Sequence, residues 1–272
     1  MKIFDLHTHL FPARMFLAIW EYFETRNWSV HREQVDEVTA TLQRHGVQGA
    51  VALSYAHKAG VAHSLNTFMA ELRARHDWLY PFASVHVEDA DFNEEIDRVL
   101  GSEHLFGFKF QPLVQRFDIN DRRLDPLYEQ CQERQFPVLI HIGSGPVANR
   151  FVGPDHFRRL MDRFPALRVC VPHMGVPECS DFLVMLDDYP EMFLDTTMVN
   201  THCELFDTAW RGDVEALKRH SKRICFGSDW PNVPYPYQEA VDSVLRFGFE
   251  EADLEDIYWN NARRFVGLAD LA

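Results

Sequence analysis

Short runs of branched and aromatic residues recur near positions 2–6, 47–53, 79–86, 105–111, 137–142, 167–172, 192–196 and 224–228, each of strand length. Between them the apolar period changes. Val35/Val38/Leu42, Leu65/Phe68/Met69/Leu72, Leu124/Leu127/Tyr128/Cys131, Phe157/Leu160/Met161/Phe164, Phe182/Met185/Leu186/Tyr189 and Ala240/Val241/Val244/Leu245 repeat at three- and four-residue steps, as one helical face does. Weaker helical repeats surround Ile96/Val99/Leu100 and Val214/Leu217. Gly46 stands where a glycine would end a helix, Pro154-Asp155 opens another, and Ser180-Asp181 resembles a cap. Alternating strands and helices with right-handed crossovers give a parallel sheet, and eight such units close into a (β/α)8 TIM barrel. The alternative, an open doubly wound sheet, calls for a glycine-rich phosphate loop after the first strand, where His7 and His9 stand instead. With no linker in view, residues 1–272 are expected to form a single α/β domain. Residues 11–31, long and aromatic-rich, are read as a lid, an oligomer contact or a segment packed over the barrel mouth.

The polar residues that interrupt this pattern are its chemistry. His7-Thr8-His9 ends the first run, and in an extended strand residues two apart point to the same side, so two imidazoles are presented together. His141 ends the fifth run, His173 follows the sixth, and Asp229 follows the eighth. A barrel gathers the C-terminal ends of its strands on one face, which would bring these residues together. Imidazole and carboxylate suit a borderline divalent ion such as zinc. Such an ion would generate hydroxide near neutral pH and polarise a carbonyl, with Asp229 the natural general base. His173 would orient the nucleophile or stabilise developing negative charge. Asp5 is either a partner that fixes the tautomer of a ligating histidine or a buried structural carboxylate.

Composition narrows the partners. A formal charge of −14 over 272 residues, with no lysine/arginine block, argues against nucleic acid. No run approaches membrane-spanning length, the start lacks a signal-peptide pattern, and the five cysteines form no Cys-x-x-Cys pair. A reduced, cytoplasmic protein acting on a small-molecule substrate is expected, with a homo-oligomer open.

The stretches Phe4-Asp5-Leu6-His7-Thr8-His9-Leu10-Phe11-Pro12, Pro172-His173-Met174-Gly175, Phe226-Gly227-Ser228-Asp229-Trp230-Pro231 and Ile257-Tyr258-Trp259-Asn260-Asn261-Ala262-Arg263-Arg264-Phe265, with His141, resemble the amidohydrolase superfamily. The nearest branch is the amidohydrolase-2 group, which includes aminocarboxymuconate-semialdehyde decarboxylase and related decarboxylases, hydratases and lactonases. The resemblance implies a metal-dependent enzyme in which His7, His9, His141 and Asp229 hold a divalent ion, most simply zinc, with manganese or iron as alternatives. It also implies that His173 is the adjoining catalytic or binding group. It does not fix the reaction: hydrolysis of a C–N or C–O bond in a small carboxylate-bearing or cyclic substrate leads, and non-oxidative decarboxylation and a barrel that binds without turnover stay open. Lys109, in the fourth strand, has three readings: a substrate-carboxylate or ion-pair partner, a carboxylated lysine bridging two metals, or an outward-facing side chain. His57, His86 and His202 sit near the same rim, and Arg14 and Arg150 are candidate anion holders.

Overall fold

The computed structural model describes residues 1–145, 148–205 and 207–268. The chain opens with β1 (Ile3–His9), α1 (Ala13–Glu24), α2 (Val35–Arg44), β2 (Val47–Leu53), α3 (Ala62–Arg75), β3 (Leu79–Pro81) and α4 (Phe92–Leu100). Then come β4 (Phe108–Phe110), the single turn α5 (Pro112–Gln115), α6 (Asp125–Arg134), β5 (Val138–Ile140), α7 (Pro154–Arg163), β6 (Val169–Val171) and α8 (Cys179–Asp188). β7 (Met192–Asp195), α9 (Val214–Arg219), β8 (Ile224–Cys225), α10 (Tyr237–Leu245), α11 (Glu251–Glu255) and α12 (Asn261–Val266) complete it. All strand pairs are parallel, in the orders β1-β2-β3 and β4-β5-β6-β7-β8.

Backbone hydrogen bonds stitch the two sheets at both seams. Ala83 N–H donates to Gly107 O at 2.8 Å and Lys109 N–H to Ala83 O at 2.7 Å, joining the third strand region to β4. At the other seam Leu6, His9 and Asp229 N–H donate to Phe226 O, Trp230 O and His7 O. The eight strands thus run round into the (β/α)8 TIM barrel that the sequence pattern predicts. Several strands are shorter than their apolar runs. β3 stops at Pro81 and β8 at Cys225, because beyond those points only isolated bridges, Ala83 to Phe108 and Thr8 to Trp230, continue the ladder.

The barrel interior is filled strand by strand. Lys109 pairs in register with Leu139, Leu139 with Cys170, and Cys170 with Phe193, so these four share one layer. Phe4, Leu6, Val51, Leu53, Phe82 and Cys225 pack with Leu139, Cys170 and Phe193, and Ala262 and Phe265 of α12 close the bottom. β4 flanks its lysine with Phe108 and Phe110, which belong to the larger core between sheet and helices. Helix punctuation is partly as expected. Gly46 has φ +79° after α2, and Pro154 occupies the first turn of α7. Ser180 and Asp181 lie inside the first turn of α8, whose cap position is Glu178. Among the described residues no helix is long and apolar enough to cross a membrane.

Buried Gln115 ties three strand-end loops together. Its Nε2 donates to Ala56 O and Val85 O, and its Oε1 accepts from Gln111 N–H at 2.8 Å. Gln115→Ala leaves those buried backbone groups unpaired and will cost about 2 kcal/mol. A urea midpoint within error of wild type would contradict this.

Candidate metal centre

β1 carries its two imidazoles inward because of a bulge. Its register against β2 runs Asp5 to Ala50 and Thr8 to Ala52, three steps against two, so one extra residue is accommodated between them. The extra residue reverses facing along β1. Phe4 and Leu6 point into the barrel below it, and His7 and His9 line the cavity above it. Asp5 consequently faces away from the imidazoles. Its Oδ1 accepts from the backbone N–H of His7 (3.0 Å) and Ser228 (3.1 Å), and its Oδ2 from Tyr237 Oη–H (2.8 Å). Of the two readings of Asp5, the buried structural carboxylate is the one found. Burial pushes its pKa up to about 7, against the lowering effect of those hydrogen bonds.

The tautomer-fixing partner is Asp195, at the end of β7. Its Oδ2 accepts from His7 Nδ1 at 2.8 Å, and its Oδ1 accepts from the backbone N–H of His173 (2.9 Å) and Thr197 (3.1 Å). Burial alone would raise the Asp195 pKa, but the adjoining His7, His173 and Thr197 hold it at about 2. Burial keeps His7 below its ordinary value, so the pair is a carboxylate and a neutral imidazole. With Nδ1–H committed to Asp195, His7 Nε2 is a lone pair. His9 Nδ1 faces Leu53 O at 3.3 Å and must donate, which turns His9 Nε2 inward as well.

Three donor atoms therefore converge. His7 Nε2 and His9 Nε2 are 3.3 Å apart, and Asp229 Oδ1 lies 3.4 Å from the first and 2.8 Å from the second. Ligands about 2.0–2.1 Å from a tetrahedral zinc lie about 3.4 Å from one another, so this donor set fits one divalent ion. Asp229 reaches the others from a left-handed backbone, φ +60°, held by its N–H to His7 O. Burial works to raise its pKa, yet the His9 contact and the neighbouring imidazoles keep it well below the usual carboxylate range.

Two further histidines stand beside this group. His141 donates from Nε2 to Gly145 O at 3.0 Å, which leaves its buried Nδ1 without a hydrogen-bond partner. Burial, then the charges of His173 and Lys109, keeps it neutral. Its ring centroid is 4.8 Å from that of His173, which is 5.4 Å from His7. Among the described residues the tight donor group is His7, His9 and Asp229, with His141 one ring further along the wall. His173 donates from Nδ1 to Thr197 O at 3.2 Å, and burial lowers its pKa to about 4. It is thus a neutral acceptor at Nε2, suited to orienting a hydroxyl rather than to stabilising negative charge.

Lys109 faces inward. It is fully buried, its Nζ has no hydrogen-bond partner, and burial lowers its pKa to about 8 against the pull of Asp229 and Asp195. His7, His9, His141, His173 and Asp229 line one cavity of about 1160 Å³ at the strand ends, and Lys109 lies outside that lining while Gln111, two residues on, is part of it. Of the remaining candidates His57 also lines the cavity; His86, Arg14 and Arg150 do not. His202 sits at the surface beside Arg246. Asp195 was not singled out by sequence, although β7 ends its apolar run Met192-Phe193-Leu194 in an acid, as the other site strands end in theirs.

This arrangement agrees with the kinship of the chain. The Amidohydro_2 model of amidohydrolases matches residues 4–268, and the chain belongs to that family of enzymes. Its fold recurs in an uncharacterised TIM-barrel protein of Bordetella bronchiseptica (TM-score 0.76, 18% identity, 99% of both chains). A zinc-bound amidohydrolase of Burkholderia multivorans shares it too (0.70, 16%, 98% of this chain and 100% of that one). So does 2,6-dihydroxybenzoate decarboxylase complexed with 2,6-dihydroxybenzoate (0.69, 17%, 98% and 99%). In sequence, a dihydroorotase of Nitrosococcus oceani is 29% identical over 117 residues, 38% of this chain. The match takes in 33% of that protein, so the chain spans about a third of the curated relative's length.

Asp195→Ala removes the acceptor for three N–H groups at once. It will lower stability by about 3 kcal/mol, the range for hydrogen bonds to a charged group. Urea unfolding in chelator keeps any bound ion out of the comparison, and a loss below about 1 kcal/mol would show that the carboxylate is not the pin described here.

Proposed function

We propose that the chain is a metal-dependent hydrolase, acting as one catalytic domain on a C–N or C–O bond of a carboxylate-bearing or cyclic substrate. The observation that carries this is the convergence of His7 Nε2, His9 Nε2 and Asp229 Oδ1 within 3.4 Å of one another, with the His7 proton held at Nδ1 by its hydrogen bond to Asp195. His7, His9 and Asp229 would hold one divalent ion, zinc first and manganese or iron next, and His141 Nδ1 would offer a fourth donor. When bound, such an ion acidifies water and polarises a carbonyl.

The chain's own residues supply the rest. Asp229, held as a carboxylate by the neighbouring imidazoles, accepts a proton and returns it to the leaving group. His173 Nε2 accepts a hydrogen bond from the attacking hydroxyl and fixes its direction. Lys109, beneath the lining, acts on a substrate carboxylate through its charge rather than by contact, and offsets Asp195 and Asp229. The partial match to a dihydroorotase supports hydrolysis. The second reading, non-oxidative decarboxylation, draws on the shared fold of 2,6-dihydroxybenzoate decarboxylase, and release of CO₂ from a substrate panel separates the two.

Elemental analysis of the purified protein will show about one divalent ion per chain. Two tightly bound ions, or a Lys109 peptide heavier by a carboxyl group, would overturn the mononuclear arrangement.

His9→Ala will lose metal and activity together. Asp229→Asn will keep its fold while turnover falls by about 10²–10⁴, the value of a positioned acid/base. Near-normal turnover in that variant excludes Asp229 as the base.

Dialysis against a chelator will silence the enzyme, and added metal will restore it; alkylation will not silence it. Cys131, Cys170, Cys179 and Cys225 are buried, and none of the five thiols lines the cavity. Burial holds the Cys170 and Cys225 thiols well above their ordinary range. Inactivation by alkylation with metal content unchanged would point to cysteine chemistry instead.

A further inference from the structure

The cavity is larger than a small substrate needs. At about 1160 Å³ it exceeds the roughly 300–1,000 Å³ of ordinary ligand sites. Its metal-site donors lie on the floor, while its upper walls come from separate loops and are mainly apolar, with Arg26, Arg116, Asn149 and Asp207 set among them. Leu113 and Val114 follow β4, Phe151 follows β5, and Met198 and Val199 follow β7. Facing them is α1.

α1 is an unusual helix for a domain with such a full core. Of its residues only Phe16 is buried, and it anchors the helix against Phe11, with ring centroids 5.4 Å apart, while Trp20 of the same helix stacks on it at 5.8 Å. One turn round, Met15, Ile19 and Phe23 recur at four-residue steps and line the cavity, with Met15 and Ile19 also resting on the edge of the core. The helix is fixed from its far end. Trp28 Nε1–H donates to Asn232 O at 3.0 Å, and the Trp28 ring lies 5.5 Å from that of Phe23. Besides His141 Nδ1, Gln111 Oε1 and Asn232 Oδ1 at the floor lack partners among the described residues, the latter on a residue only 4% exposed. In a chain of net charge −14, an apolar wall held rigidly above a polar floor is a surface kept for a ligand.

We infer that the substrate is an amphipathic molecule whose apolar part is larger than one ring, and that the Met15/Ile19/Phe23 face of α1 selects it. This rests on the reading of the His7/His9/Asp229 floor as the reactive centre. The polar, reacting end sits on that floor between Gln111 and Asn232. The apolar end lies along α1, opposite Leu113 and Met198. Leu17, 58% exposed, is on the outer side of the same helix and serves as the control.

The test is the binding of two homologous series to the metal-loaded protein by calorimetry: straight-chain carboxylates from butyrate to octanoate, and the primary alcohols of the same lengths. Each methylene buried on the wall will tighten binding about fourfold in both series. Ile19→Ser and Met15→Ser, checked to retain their metal, will cut the gain below about twofold per methylene, and Leu17→Ser will keep the wild-type dependence. The offset between carboxylate and alcohol of equal length reports the ionic floor, so failure of the metal-centre reading shows there and not in the slope. Length-independent binding in both series, or no binding in either, overturns the inference. So does a change of oligomeric state in the Ile19 and Met15 variants, seen by light scattering, which would assign the face to a second copy of the chain.

Discussion

Everything at this site depends on the seam where the last strand closes onto the first. The N–H of Asp229 donates to His7 O and that of His9 to Trp230 O, so two segments more than 200 residues apart share one short ladder. The distance between the imidazoles and the carboxylate is thus set by backbone hydrogen bonds and not by flexible side chains. A barrel leaves no edge at this point, and the geometry cannot relax by fraying.

Around that seam the protein spends its buried polar groups in two separate ways. Asp5, behind the bulge, gathers the His7 and Ser228 amides and the Tyr237 hydroxyl, and so holds the backbone of both segments. Asp195, on the cavity side, aims the His7 ring and holds the left-handed turn at His173. One carboxylate fixes where the chain runs and the other fixes where the lone pairs point. Burial works to raise both pKa values, but only Asp5 follows it, up to about 7; His7, His173 and Thr197 hold Asp195 at about 2.

Much of this was legible in the chain. The alternation of two-residue and helical periods gives the barrel, and the polar residues that end the first, fifth, sixth and eighth runs are those found around the cavity. What escaped was whatever depends on one residue of register. Counting by twos places Asp5 beside His7, and the bulge between Asp5 and Thr8 undoes that count. Strand parity left Lys109 open until the pairing with Leu139 placed it in the barrel layer. Asp195 ends a run of three apolar residues and carries no histidine neighbour to draw attention, yet it holds both the His7 ring and the His173 backbone. The sequence reads residues 11–31 as a lid, an oligomer contact or a segment over the barrel mouth without a helix, because α1 lacks the broad buried stripe of a core helix.

The way the first loop is fastened carries a mechanical consequence. Trp28 bonds to Asn232 O, Trp230 Nε1–H bonds to Glu33, and His31 stacks on Trp230 at 4.0 Å, so the wall formed by α1 is clasped to the segment that carries Asp229. Wall and carboxylate form one mechanical unit. A load on the wall is therefore carried by the Trp28–Asn232 and Trp230–Glu33 bonds into the segment that holds Asp229.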